Sequence, residues 1–481
     1  MSEANKSHRT GFPHVPSRPL LIETAAFALY FFTWKLCMAV TLARAPRLAE
    51  VGVLGSAYAL LLAFTGLGYV LPAPICLAQK RKSLAAVVLA FCFGGSIVMM
   101  TTQRIEILLA ASCVTVLALG CIGGGIHYGF SLVSYGSEFS GRALGIGMGV
   151  SSLLQYVVEA MGLTPVVFVI CVVLSLFTIM WLATRPAKRW GREQDPAAKQ
   201  TPVVGRRPIT ILVVAAVAMT LDYGLLDSVL VWKYASGKIV TAGLSKIVNA
   251  LSLPLVGVLF DLKKGNLRSL ITVCAMFLIV VATPAAAEDE WVGVATVMAG
   301  VYGAFYVMYL SASFMRIAPD TSRPEVIAGV GRAVSCFVGA IGALTARPFF
   351  ESCGVVATVG VSCLLSIGCL LVLLRDIAWG VTKGLGEDGV AFGGDLPRPS
   401  GPSREEALDT YIEKLALTAR EAEVCGLLLS TDLGVQEIAD EIFISRRVAQ
   451  RHIAAIYEKA GVTTRLGLYR DFDAWFDEGV N

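Results

Sequence analysis

The sequence predicts an all-α, polytopic membrane protein of twelve transmembrane helices in two sets of six, followed by a small soluble helical domain. Three observations carry this. Of 481 residues, 56% are hydrophobic and only 16% are charged, whereas a soluble domain carries roughly 25% charged residues. Apolar stretches of about 20 residues, the length that crosses a bilayer, recur twelve times before residue 375. Beyond a Gly- and Pro-rich stretch at 385–403, the composition changes to that of a water-exposed helical unit.

Residues 1–19 are polar and are read as a cytoplasmic segment. The first apolar run is followed by no small-residue cleavage site, so it is read as a retained span and not a signal peptide. The first half, 20–184, holds spans at 20–42, 51–78, 83–101, 105–130, 143–162 and 164–184. A polar, basic interruption at 185–208 is the central cytoplasmic loop. The second half, 209–375, holds spans at 209–232, 239–260, 269–286, 292–315, 326–346 and 353–374. Basic residues cluster in alternate loops: Lys6, Arg9, Arg18, Lys80–Lys82, Arg142, Arg185–Arg207, Lys263, Lys264, Arg268, Arg316 and Arg323. By the positive-inside rule both termini are cytoplasmic. A flexible linker, 376–402, leads to the terminal domain, 403–481.

The six-plus-six division suggests two related halves around a midplane cavity. The stretch GVLFDLKKGNLR, Gly257 to Arg268, is similar to the G-x-x-x-D-x-x-x-G-x-x-R/K signature of major facilitator superfamily transporters, with Gly257, Asp261, Gly265 and Arg268 at its defining positions. It falls after the eighth span, where a second copy of that signature belongs. The corresponding first-half loop, LAQKRKS at 77–83, keeps the basic residues but lacks the Asp and Gly.

Ionisable residues inside spans are costly and mark ligand sites or buried pairs. The candidates for ligand contact or gating are Lys35, Glu159, Asp222, Asp227, Lys246, Asn249 and Arg332. In a facilitator-like fold the first and seventh helices flank the central cavity, which implies that Lys35 pairs with Asp222 or Asp227 as a latch. Each residue has a plainer alternative, a structural pair or a side chain snorkelling to the interface. GCIGGG at 120–125 is read as a close-packing segment. Twelve cysteines without a CxxC pair and four scattered histidines indicate no disulfide framework and no metal site, and no cofactor is expected.

In the terminal domain, Ser403–Glu406 and Thr418–Glu421 fit the capping box. Helices are expected at 404–415, 419–430, 435–442, 446–460 and 464–476, the third and fourth forming a helix-turn-helix with Ser445 as cap. At 100° per residue, Ala449, His452, Ile453, Ile456 and Ala460 share one side of the fourth helix. Arg446, Arg447, Gln450, Arg451, Ala454 and Glu458 share the other, a basic face able to enter a major groove.

Residues 417–468 resemble the LuxR-type helix-turn-helix of bacterial transcription regulators, whose pattern reads L-T-x-R-E-x-E-V, E-I-A-x-x-L, I-S-x-x-T-V-K-x-H and I-Y-x-K-L-G-V-x-x-R. Leu417, Thr418, Arg420, Glu421, Glu423, Val424, Glu437, Ile438, Ala439, Ile444, Ser445, His452, Ile456, Tyr457, Lys459, Gly461, Val462 and Arg465 match it. The resemblance implies binding to double-stranded promoter DNA through Ser445, Arg446, Arg447, Gln450, Arg451 and Ala454, with Thr418, Glu421, His452 and Arg465 structural. It also implies a homodimer on DNA, for which Leu466, Leu468 and Phe472 are candidate contacts unless the monomer buries them. The family's T-V-K is Val448-Ala449-Gln450 here, so a hydroxyl and a lysine are missing, and flanking Arg447 and Arg451 are positioned to replace the charge.

The sequence thus reads as a one-component transcription regulator in the bacterial cytoplasmic membrane, whose membrane domain senses an unknown small molecule. The alternative is a facilitator-type transporter with a regulatory DNA-binding tail. No nucleotide loop, nucleophile elbow or metal cluster points to an enzyme, and twelve spans exceed what a passive anchor needs.

Overall fold

The computed structural model describes residues 18–42, 48, 50, 52–71, 81–135, 137, 139–162, 164–184, 206–237, 242–262, 265–382, 404–430, 434–465, 467–469, 471–472 and 475. All regular structure among them is helical. The chain divides into two compact units, Met1–Asp395 and Leu396–Asn481.

Among its described residues the first unit holds eleven helices: α1 (Arg18–Leu42), α2 (Leu54–Val70), α3 (Arg81–Thr101), α4 (Ile105–Ser134), α5 (Ser140–Ala160), α6 (Pro165–Thr184), α7 (Arg206–Ala235), α8 (Ala242–Phe260), α9 (Gly265–Ala287), α10 (Val292–Ile317) and α11 (Pro324–Thr382). Seven contain a stretch long and apolar enough to cross a membrane, while the apolar stretches of α2, α3, α6 and α8 are shorter. The spans read at 326–346 and 353–374 are two helices in one unbroken run, without an intervening loop. That run is kinked at Gly354, whose φ of 78° and ψ of 177° suit glycine alone. Counted on both sides of the kink, the described residues of the unit form twelve helical segments, besides the helical residues 48 and 50. Leu174, Phe177, Leu255, Leu364 and Leu371 are exposed on the helices, a surface that lipid tails satisfy.

The two sets of six meet along two helix pairs, α5 with α8 and α2 with α11. Lipid is as apolar as leucine, so membrane helices associate through close packing and polar contacts. Small residues supply the first: Gly141, Gly145 and Gly149 recur every four residues on α5 and face Gly257, Leu253 and Ala250 of α8. Within the first half, Gly120 lies against Gly68 and Gly123 against Tyr30, which is the packing role read for GCIGGG.

The second unit contains α12 (Arg404–Lys414), α13 (Ala419–Ser430), α14 (Val435–Glu441) and α15 (Arg446–Lys459); residues 465, 467–469, 471–472 and 475 are helical as well. Tyr411, Val424, Cys425, Leu428, Ile438, Ile453, Ile456, Leu468 and Phe472 form its core. Leu468 and Phe472 are therefore not a dimer surface. Phe472 packs on Tyr411 with ring centroids 5.1 Å apart, and Tyr411 donates to Asp471 at 2.5 Å. Leu466, like Ser403 of the first capping box and residues 77–80 of the first-half loop at 77–83, lies outside the described residues, and residues 81–83 begin α3.

Candidate functional site

The helix-turn-helix is built by local signals. Ser445 takes an extended backbone (φ −73°, ψ 150°) and its Oγ accepts the Val448 amide at 3.4 Å, so α15 starts where a capping hydroxyl meets the first helical turn. Ala449, Ile453 and Ile456 are buried, whereas Ser445, Arg446, Arg447, Gln450, Arg451, Ala454 and Glu458 are exposed. The helix thus turns its apolar stripe inward and presents three arginines and a glutamine to solvent from its N-terminal half.

The other domain residues hold this helix in place. Thr418 and Glu421 form a reciprocal cap: Glu421 Oε2 accepts the Thr418 amide at 2.8 Å and Thr418 Oγ1 accepts the Glu421 amide at 3.4 Å. Lys459, in the last turn of α15, donates to Glu421 at 2.7 Å and to the Ala416 carbonyl at 3.0 Å. Arg465 Nε donates to the Leu428 carbonyl at 3.0 Å, near the end of α13. His452 is half-buried.

The Lys459 ammonium, followed by the Thr418 amide, holds the Glu421 carboxyl down at about 2, against an ordinary 4.5. A carboxyl depressed by folding contributes stability that is complete above its unfolded value and disappears as pH falls toward its folded one. The isolated domain therefore loses stability between about pH 4.5 and about pH 2. Glu421→Gln lowers its midpoint at neutral pH and flattens that acid limb in thermal melts across pH.

One residue of the turn has no local sequence signal. Phe443 has φ 54° and is 94% exposed. The Ile444 amide reaches back to the Ala439 carbonyl at 2.9 Å, closing α14 in the manner that normally places glycine at this position. A left-handed backbone costs an ordinary residue roughly 1–2 kcal/mol. Phe443→Gly is thus expected to raise the stability of the domain by about 1 kcal/mol in denaturant titrations.

In the membrane unit, polar groups close the α5–α8 pair along its length. At one end Asp261, just past α8, accepts the Gly141 amide at 2.5 Å, the Arg142 amide at 3.0 Å and Arg142 Nε at 2.6 Å. A carboxylate at the first turn of α5 is favoured by the helix dipole as well as by these donors. Gly257 is required by close approach, since a Cβ there would lie 2.5 Å from the Gly141 carbonyl oxygen. Gly265 opens α9, and Arg268 Nη1 donates to the Phe260 carbonyl at 2.7 Å. Midway, Ser152 donates to Asn249 Oδ1 at 3.1 Å, and Asn249 Nδ2 donates to the Gly300 carbonyl at 3.1 Å. At the far end, about 27 Å along α5 at 1.5 Å per residue, Glu159 pairs with Lys246 and accepts from Gln155 at 2.8 Å.

The remaining charged candidates do not pair as expected. Lys35 donates to Ser151 and Ser152 of α5, at 3.0 and 2.5 Å, and forms no latch with Asp222 or Asp227. Asp222 accepts from Ser362, and Asp227 accepts from Tyr58 at 3.1 Å. The expected latch presumes that α1 and α7 turn these side chains toward each other; instead Lys35 faces α5, Asp222 faces α11 and Asp227 faces α2.

Arg332 of α11 is buried, with its guanidinium carbon 5.3 Å from the Phe31 ring centroid and 5.9 Å from that of Trp34. Its Nε has no hydrogen-bond partner. A charge at such depth costs at least about 3 kcal/mol, and cation–π contact returns only part, roughly 1–2 kcal/mol. Sequence reasoning found the arginine but missed its aromatic surroundings. These include Tyr30 and Tyr69, whose hydroxyls bond at 2.7 Å, and His127, whose tilted ring lies 4.7 Å from that of Phe27 and leaves Nε2 without a partner. Among the described residues no group of three or more His, Cys, Asp or Glu is placed to hold a metal ion.

Residues 415–471 match the model of the bacterial regulatory proteins, luxR family. No curated protein matches the chain. The fold is similar to that of the human organic anion transporter MFSD10 (TETRAN), with 14% identity and a TM-score of 0.54 over 75% of this chain and 100% of that one. It is also similar to the major facilitator superfamily proton:xylose symporter XylE bound to 6-bromo-6-deoxy-D-glucose, with 11% identity and a TM-score of 0.53 over 74% of this chain and 95% of that one. At these identities the likeness is one of fold. The chain therefore joins a multi-pass membrane domain with the fold of major facilitator superfamily transporters to a C-terminal helix-turn-helix domain of the luxR family of bacterial regulatory proteins.

Proposed function

We propose that the protein is a one-component transcription regulator of the bacterial cytoplasmic membrane, with both termini in the cytoplasm. Its membrane domain binds a small molecule and thereby controls a tethered reader of promoter DNA. The observation that carries this reading is the capped helix α15, which exposes Arg446, Arg447, Gln450 and Arg451 within a luxR-family domain. Arg447 and Arg451 read base edges or grip phosphates, Gln450 reads adenine, and Ser445, Arg446 and Ala454 complete the contact. The reader acts as a homodimer on DNA, through a surface other than Leu468 and Phe472.

Control requires a ligand with unequal affinity for two arrangements of the membrane domain; a tenfold change in their balance takes about 1.4 kcal/mol. The α5–α8 pair, fastened by Asp261–Arg142 at one end and Glu159–Lys246 at the other, is the element that such a ligand biases. Binding of fragment 403–481 to promoter DNA tests the reader. Affinity falls steeply with salt because phosphate contacts release counterions, and Arg451→Ala loses preference for the specific site over random DNA. Unchanged preference would remove Arg451 from the reading face.

The second reading is a transporter that also regulates transcription. Its support is the fold shared with an organic anion transporter and a proton:xylose symporter. It predicts substrate flux that Asp222→Asn abolishes, which a pure sensor does not show.

A further inference from the structure

We infer that the middle of the membrane domain binds a small organic anion with a flat apolar body, held by Lys35 and Arg332 against the aromatic side chains of α1. The inference rests on the proposed reading of that domain as ligand-responsive, and it names the chemistry of the ligand.

Two basic side chains of this region have no paired carboxylate among the described residues. Arg332 is 7% exposed, and its Nε has no partner. Lys35 is satisfied only by the hydroxyls of Ser151 and Ser152. Lys35 follows Trp34 and lies one turn after Phe31, the two rings that meet Arg332, and among the described residues no carboxylate pairs with either basic group. Asp222 accepts from Ser362 through Oδ1 and leaves Oδ2 without a partner, Asp227 accepts from Tyr58, and Glu159 pairs with Lys246 and accepts from Gln155, so none of the three bonds either basic group. A structural arginine at this depth would have its donors filled by carbonyls or a carboxylate. This one rests on two π-faces, which an anion carrying a flat apolar body can share while its charge fills the empty donor.

The surroundings define the ligand further. Phe31 and Trp34 lie beside the guanidinium, Tyr30 packs on Phe31 with ring centroids 5.0 Å apart, and the Tyr69 hydroxyl meets that of Tyr30. Those rings favour a planar apolar body and supply hydroxyls for a carboxylate. A sugar offers no charge to two basic side chains without a paired carboxylate. The placement also links binding to the rest of the domain. Arg332 belongs to α11 in the second half and Lys35 to α1 in the first, and the hydroxyl of Ser152 that receives Lys35 also reaches Asn249 of α8. An anion that draws Lys35 away from Ser152 therefore alters the contact in the middle of the α5–α8 pair.

The test uses the purified full-length chain in uncharged detergent, with benzoate as probe and benzamide as its neutral counterpart. Benzoate at millimolar concentration raises the thermal midpoint in a concentration-dependent way, and benzamide does not. Arg332→Gln and Lys35→Gln each weaken the benzoate effect about tenfold or more, the scale of one lost charge-assisted hydrogen bond. Arg332→Lys retains part of the effect. Lys233→Gln, which removes a lysine that has its own partner in Asp289, leaves it intact. No benzoate effect, an equal benzamide effect, or an undiminished effect in both glutamine variants would overturn the anion site. An equal effect of inorganic phosphate would overturn the flat-bodied ligand. The regulator reading fails separately: a promoter reporter unaffected by any membrane-domain variant, with benzoate still bound through Arg332, leaves the site standing and removes the control.

Discussion

In the full-length chain, Arg447→Ala/Arg451→Ala lowers promoter occupancy about 30-fold or more while the domain stays folded. Both side chains are exposed on α15, opposite the buried Ala449, Ile453 and Ile456, so their removal leaves the core untouched. A good bidentate base contact contributes about 1–3 kcal/mol, and two lost together give about 2–6 kcal/mol, or roughly 30-fold to more than 10⁴-fold. DNA crosslinking of the tagged chain reads the loss, and circular dichroism of fragment 403–481 checks that the fold persists. Occupancy within about threefold of the unmutated chain, well short of a single contact, would show that these arginines do not hold DNA.

Gly145→Val is expected to disrupt the membrane domain. A Cβ at Gly145 points at the Leu253 carbonyl and lies 3.1 Å from the Gly257 Cα, both backbone atoms that cannot rotate away. The helices must separate, and the polar contacts at Ser152, Asp261 and Glu159 lose their geometry with them. Overpacking alone costs about 1–3 kcal/mol, and the loss of close helix contact adds to it in a bilayer, where packing is the main attraction. Thermal unfolding in detergent measures the effect. Gly360→Ala is the matched control: nothing lies within 4 Å of a Cβ there, so it is neutral or stabilising by up to about 1 kcal/mol. Equal midpoints for the two variants would mean that α5 and α8 do not depend on this close approach.

Local spacing made the terminal domain legible. The Thr418–Glu421 cap, the Ser445 cap and the division of α15 into buried and exposed faces follow from contacts three or four residues apart, which a single sequence displays. Phe443 escaped notice because nothing about an aromatic residue favours a left-handed backbone. Leu468 and Phe472 stayed ambiguous because a core stripe and a dimer stripe have the same periodicity.

In the membrane half, hydropathy located the helices but could not orient them. These helices are apolar on most sides, so composition carries little information about rotation around the axis. Asp261 was found through its motif, whereas its partner Arg142 lies 119 residues away and has no sequence mark linking the two. For the same reason the sequence does not show that Lys35 meets serine hydroxyls of α5 and no carboxylate, or that Arg332 lies on aromatic rings. The loop expected between the last two spans is replaced by a kink at Gly354, a position that reads in sequence as one more small residue in an apolar run.

Genome-wide crosslinking of full-length Asp261→Asn/Glu159→Gln beside the unmutated chain measures whether the membrane domain sets how much DNA the tail occupies. Both substitutions lie in the membrane unit and loosen the two ends of the α5–α8 pair, leaving the sequence of the DNA-reading domain unchanged. The expected result is the same peak positions with occupancy changed about tenfold, the response to a shift of about 1.4 kcal/mol between two arrangements. Identical peaks at identical occupancy, with the variant protein present in the membrane at unchanged level, would contradict it and leave the membrane domain as an anchor or an independent transporter.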